Sequence, residues 1–353
     1  MAPSASVPPS SPSEAELAIV GAGPVGLYAA YYAGFRGLDT IVFDTLPLAG
    51  GQIAAFYPDT AIYDVAGFPA VTGRELVDRL VAQSGAFPIA MHLGEEVLTI
   101  ERQGENFLVG TRAGGGAPGM QATLASYRVR AVLVAAGIGS FSPQRLPDAA
   151  LARFEGCGLS YFAPPPAEVR GSRVVVLGGS ERAVDVAVTL ATTASEVTLV
   201  HRRDRLPVSD EVRARLDASP VRFLPFYELA GIAGEARVER LTLADRRDGS
   251  EQQLEAAFVV ACYGFHADAS ALARFGARRD GDAILVDSRM ASDRPGIYAA
   301  GDGATYPGKV RVLAADFGEA ATAINNIAVA VIPGANLFPG YSSHRKGAPR
   351  RPR

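Results

Sequence analysis

Residues 16–26 read E-L-A-I-V-G-A-G-P-V-G, and residues 41–44 read I-V-F-D. A short apolar run, a glycine turn, a helix opening at Pro24 and a second apolar run spell strand–turn–helix–strand. That is the βαβ unit of a parallel sheet with helices on its faces. Each glycine has its own reason to be there. Gly21 permits the sharp turn, Gly23 lets the main chain approach a pyrophosphate, and Gly26 permits close packing of helix on strand. The helix N-terminus, with Pro24 and Val25 as its first residues, offers N–H donors and partial positive charge to an anion. Asp44 follows Gly26 by 18 residues and ends the second strand, where a carboxylate accepts hydrogen bonds from a ribose diol.

A second unit of the same kind reads R-V-V-V-L-G-G-S-E-R-A over residues 173–183, with its next strand over 197–200. Gly178 and Gly179 make the turn, but Ser180 stands where a bare glycine is usual, followed by Glu181 and Arg182. The strand then runs into His201, Arg202 and Arg203 rather than an acid. Guanidinium groups are planar, permanently charged and bidentate, so Arg202 and Arg203 suit a 2′-phosphate. Two dinucleotides are therefore expected, one of them phosphorylated. Ala300-Gly301-Asp302 follows a strand and precedes a helix over roughly residues 314–331. An Asp there suits the ribityl hydroxyls of a flavin, with the helix N-terminus aimed at the pyrimidine end of its ring. FAD and NADPH are the pair these features imply.

The chain of 353 residues is long enough for two domains. Its net charge of -3 excludes a broadly basic nucleic-acid surface, and no apolar run nears the roughly 18 residues of a membrane helix. Two cysteines, Cys157 and Cys262, indicate no disulfide framework and fit a reducing cytoplasm. The expected class is α/β: two Rossmann-like domains, an FAD domain over 14–139 and 266–345 with an NADPH domain, 140–265, inserted. A Pro/Ser-rich tail (1–13) and a basic tail (346–353) flank them, and 114–119 reads as a loop. Further strands are expected over 97–109 (with a turn near Gly104), 129–136, 221–224, 238–243, 257–261 and 296–300.

Several strings then carry a resemblance. G-A-G-P-V-G-L-Y-A-A-Y-Y-A-G-F-R-G-L, L-A-G-G-Q-I-A-A-F-Y-P, I-Y-D-V-A-G-F-P at 62–69, H-R-R-D, Y-G-F, A-A-G-D and F-G-E-A-A-T-A-I-N-N resemble the thioredoxin-reductase-type ferredoxin–NADP+ reductases. The likeness spans roughly residues 17–343. It implies a homodimer that binds FAD and NADPH and exchanges electrons with ferredoxin or flavodoxin, an acidic carrier. Carried over by position, Asp44, Gly51, Gln52, Tyr57, Val97, Phe141, Asp302 and Ser343 contact the flavin nucleotide. Tyr57 would stack on one face of its ring and Tyr341 would cover the other, and these two are the side chains expected to modulate chemistry.

The chain is also similar to thioredoxin reductase, but the segment matching that enzyme's C-x-x-C is G-C-G-L-S-Y, with Cys157 alone. A dithiol relay needs two thiols within bonding reach, so thioredoxin reduction is not expected. G-G-S-E-R-A replaces the family's G-G-G-D-S-A, and Pro207 replaces a basic residue, with Arg205 the nearest substitute. The implied reaction is hydride transfer from NADPH to the flavin, then single-electron steps to the carrier. It needs no catalytic histidine and no metal. The competing readings are an NADPH oxidase or quinone reductase, and a nucleotide-binding redox sensor with little turnover.

Overall fold

The computed structural model describes residues 13–56, 58, 60–113 and 123–344. Its α-helices are α1 (Pro24–Arg36), α2 (Gly51–Phe56), α3 (Gly73–Ser84), α4 (Glu181–Leu190), α5 (Asp210–Asp217) and α6 (Leu313–Val331). The chain divides into two compact units, the second running Ser142–His266 and the first built from the segments on either side.

In the first unit five strands lie parallel, in the order Ile297–Ala299, Ala131–Val134, Leu17–Val20, Thr40–Asp44 and Ala90–Leu93. The two central strands, L-A-I-V and A-V-L-V, are buried along their whole length, which is why they are continuously apolar rather than alternating. Because the strands are parallel, Val20, Asp44, Val134 and Ala299 end on one edge of the sheet. The glycine turn, α2 and the Gly301-Asp302-Gly303 turn all leave from that edge. An antiparallel meander, Glu95–Gln103, Asn106–Ala113 and Thr123–Val129, forms a separate sheet and shares the core.

The single strand expected over 129–136 is in fact two. Val129 ends the meander and Ala131 begins the parallel sheet; at the bend, Arg130 and Ala131 both donate to the Glu16 carbonyl. A charged residue inside an apolar run marks the change of sheet.

In the second unit the parallel order is Leu159–Ser160, Phe258–Ala261, Arg173–Leu177, Glu196–His201 and Arg222–Pro225. Helices α4 and α5 share a core with it, and a three-stranded antiparallel sheet (Tyr227–Ala233, Arg240–Asp245, Glu251–Glu255) contributes to another. Helices α3 and α5 follow no glycine turn and have no sequence expectation, although α3 buries Leu76, Val77 and Leu80 at helical spacing. Each starts on a hydroxyl N-cap, Thr72 bonding the Glu75 amide and Ser209 the Val212 amide. No described helix is long and apolar enough to cross a membrane.

Candidate functional site

A cavity of about 330 Å³ opens at the carboxyl edge of the first unit's parallel sheet. Gly21, Gly23, Pro24, Val25, Asp44, Gly51, Gln52, Val97 and Asp302, all singled out from sequence, line it. Gly21 has φ +110, and a side chain there would press on the Ala135 backbone. At Gly26 a methyl group would collide with the Gly21 carbonyl, so glycine is required for helix and turn to close. Gly23 differs from both: a Cβ there would meet only the Gly51 Cα, at 3.9 Å. That open face is the backbone approach a pyrophosphate needs. Gly23 is also the N-cap of α1 and has no side chain to spend on the helix amides, which stay available to an anion.

Asp44 is held from behind. Its Oδ2 accepts from the Ala22 amide at 2.6 Å and its Oδ1 from the Leu46 amide at 2.8 Å. Burial pushes its carboxyl up, and the Leu46 and Ala22 amides pull it back. Each oxygen keeps a second lone pair for a diol. Val97 is buried next to this end, above a polar network that sequence reasoning missed. Glu95, 6% exposed, accepts from the Thr111 hydroxyl and from the Tyr127 hydroxyl at 3.1 Å, and lies 3.0 Å from His92 Nδ1. Burial and the neighbouring Glu95 carboxylate push the Tyr127 phenol up to about 12. These residues are scattered over four strands with no spacing that announces them.

At the other end of the cavity stand Gln52, Asp302, Arg311 and Asp316, with the first residues of α6. The N-cap of α6, Val312, makes no side-chain cap, so this helix also begins with amides unspent. A site with an anchored carboxylate at one end, an open glycine turn in the middle and an Asp with an uncapped helix at the other fits an FAD. Tyr57 and the side chain of Phe141 lie outside the described residues, as do 1–12, 114–122 and 345–353.

Two expected residues are not brought to this cavity. Tyr341 is 65% exposed, its ring edge-on to Phe338, and Ser343 is exposed in the turn Ser342–His344. The cause is upstream. Arg36, at the last turn of α1, donates to the Asn336 and Leu337 carbonyls at 2.7 and 3.0 Å. That pins the segment at the end of α1 opposite to Pro24, roughly 18 Å along the helix.

In the second unit Gly178 (φ +151) leaves a Cβ no room beside the Cys262 carbonyl at 2.7 Å, and a side chain at Gly179 would strike the His201 ring. Ser180 is the N-cap of α4, and its hydroxyl accepts from the Ala183 amide at 3.3 Å. Glu181 accepts from the Ser209 amide at 3.1 Å. Arg182 donates to the Tyr161 carbonyl at 3.0 Å and lies over the Phe265 ring. Arg202 and Arg203 are exposed at the strand end, with no carboxylate partner among the described residues. Beside them, burial and then the two arginines push the His201 imidazole down, so it stays neutral. Two exposed, unpaired guanidiniums just past a glycine turn can hold a phosphate monoester.

The two thiols are unpaired. Cys157 is exposed, whereas Cys262 is buried and burial pushes its thiol up. Among the described residues no group of three or more His, Cys, Asp or Glu is placed to hold a metal.

Residues 15–330 match the family model described as pyridine nucleotide-disulphide oxidoreductase. A protein of Salinispora tropica named ferredoxin–NADP reductase is 45% identical over 94% of this chain and 98% of its own length. One of Frankia alni with the same name is 43% identical over 93% and 98%. Among solved structures, the thioredoxin reductase of T. acidophilum aligns with a TM-score of 0.57 at 23% identity, covering 89% of this chain and 98% of its own. That last likeness speaks for the fold alone. The chain belongs to the pyridine nucleotide-disulphide oxidoreductase family and, within it, to the ferredoxin–NADP reductases.

Proposed function

We propose that this chain is an FAD-dependent ferredoxin–NADP reductase that moves electrons between NADPH and ferredoxin without a redox-active disulfide. The observation that carries it is the first unit's cavity, whose open Gly23 turn, anchored Asp44 and distal Asp302 match the parts of FAD in order. Bound FAD supplies a ring that accepts a hydride and releases electrons singly. This chain's residues do the holding. The α1 amides beyond Gly23 would hold the pyrophosphate, Asp44 the adenosine ribose, Val97 the adenine and Asp302 the ribityl chain, and Gly51 and Gln52 would contact the flavin as well. The family resemblance assigns Tyr57 and Phe141 to the flavin as well. In the second unit the turn at Gly178, Gly179 and Ser180 takes the NADPH pyrophosphate. Arg202 and Arg203 take its 2′-phosphate, and Arg182 keeps the turn in place.

The acceptor is a ferredoxin, as the relatives' name implies for them, and flavodoxin is a second carrier of the same charge. The chain works as a homodimer in the cytoplasm. Exposed Leu337, Phe338 and Tyr341 form an apolar strip suited to a second copy. In this reading Tyr341 and Ser343 serve the partner's flavin, since Arg36 holds their segment away from the cavity of their own chain. The test is NADPH-driven reduction of added ferredoxin by the purified yellow protein. Turnover that responds only to oxygen or quinones would overturn the carrier assignment.

A further inference from the structure

We propose that Asp316 holds the flavin's reduction potential low by keeping one uncompensated buried charge beside the isoalloxazine end of the cavity. The inference rests on the FAD reading above. Adenosine at Asp44 and pyrophosphate at Gly23 leave the ring system only the far end, where Asp316 lines the wall with Val312 and Leu313.

Asp316 belongs to a buried ionic cluster. Lys309 Nζ donates to Asp316 Oδ1 at 2.7 Å and to the two Glu319 oxygens at 2.6 and 2.7 Å. The three side chains are only 4–6% exposed. Glu319 is fully occupied: it also accepts from the Gly301 amide at 2.9 Å and the Tyr306 hydroxyl at 2.7 Å, bracing the turn that carries Asp302. Asp316 is the member that lines the cavity, and among the described residues Lys309 is its one side-chain hydrogen-bond partner. One ammonium against two carboxylates leaves one negative charge unbalanced. Burial pushes the Asp316 carboxyl up, the Lys309 hydrogen bond and charge pull it back, and its place in the first turn of α6, at the positive end of the helix dipole, also favours the ionised form. Arg311 lines the same end but is exposed, so water and salt screen it more than they screen Asp316.

A flavin gains electron density on reduction, and a fixed negative charge nearby disfavours that state. A ring held low gives electrons more readily to an iron–sulfur carrier, many of which have strongly negative potentials. The chain's cluster thus serves two ends: Lys309 and Glu319 aim the Asp302 turn, and Asp316 tunes the ring.

The test is the midpoint potential of the FAD-loaded protein, measured by anaerobic reductive titration against a reference dye. The comparison is wild type with Asp316→Asn and Asp316→Ala, both reconstituted with excess FAD. Both variants are expected to shift the oxidised–reduced equilibrium about tenfold toward the reduced form, about 30 mV upward for a two-electron couple. Potentials equal to wild type overturn the proposal, and so does a shift in Asp316→Asn alone, which would credit the new amide rather than the lost charge. A variant that takes up no FAD also overturns it, because Asp316 is then a binding residue. A wild-type protein that takes up no FAD refutes the functional reading instead, before any variant is compared.

Discussion

The two glycine turns begin their helices differently. In the first unit the N-cap is Gly23, which spends nothing on α1; in the second it is Ser180, whose hydroxyl already bonds an α4 amide. The strand ends differ in the same sense. Asp44 is fixed by two backbone amides, whereas Arg202 and Arg203 stand exposed on long side chains that must be ordered when a ligand arrives. A preorganised site holds its ligand more tightly for the same contacts, because less freedom is lost on binding. The first turn therefore suits a resident cofactor and the second a nucleotide that comes and goes. That division fits a reductase whose FAD stays while NADPH exchanges.

The strongest challenge to this contrast is Gly26→Ala. Its methyl group meets the Gly21 carbonyl, which cannot move without opening the turn, so the purified protein is expected to be colourless. A yellow Gly26→Ala protein with wild-type FAD content would refute the role given to the turn. Next comes Arg202→Ala combined with Arg203→Ala. Charge-assisted contacts contribute roughly 1.5–3 kcal/mol each, and two exposed ones at the low end, about 3 kcal/mol together, should raise KM for NADPH about 100-fold. Values of kcat and of KM for NADH should barely change, and an equal loss for both nucleotides would contradict the 2′-phosphate assignment. Asp44→Ala leaves two amides without their acceptor and should weaken FAD about 30-fold, or about 2 kcal/mol, in a fluorescence titration.

The smallest effect sharpens the comparison most. Ser180→Gly makes the second turn resemble the first and costs the helix only a few tenths of a kcal/mol. KM for NADPH should fall two- to threefold (about 0.5 kcal/mol) as α4's amides are released. A rise instead would mean that the Ser180 hydroxyl itself contacts the nucleotide.

Both turns were legible in the sequence because glycine is dictated by backbone collisions that any dinucleotide turn must solve. Asp44 and the arginine pair were legible for a related reason: each follows its glycines at a distance set by one helix and one strand. What was not legible depends on partners far apart in the chain. Glu95 acquires its meaning from Thr111 and Tyr127 across the meander, and Lys309 acquires its own only when α6 brings Asp316 and Glu319 beside the Gly301 turn. Where Tyr341 lies within its own chain was not legible either, because Arg36, some 300 residues earlier, holds its segment. The split of 129–136 into two strands hung on Arg130, which an apolar-run reading passes over.

The central claim is that electrons pass through FAD alone, with no thiol pair in between. Its most direct test is an anaerobic titration of the purified protein with NADPH, following flavin absorbance and the reducing equivalents consumed. One equivalent of NADPH per FAD should bleach the flavin completely, with nothing further taken up, and Cys157→Ser with Cys262→Ala should leave the curve unchanged. Uptake of a second equivalent that the cysteine substitutions abolish would contradict it.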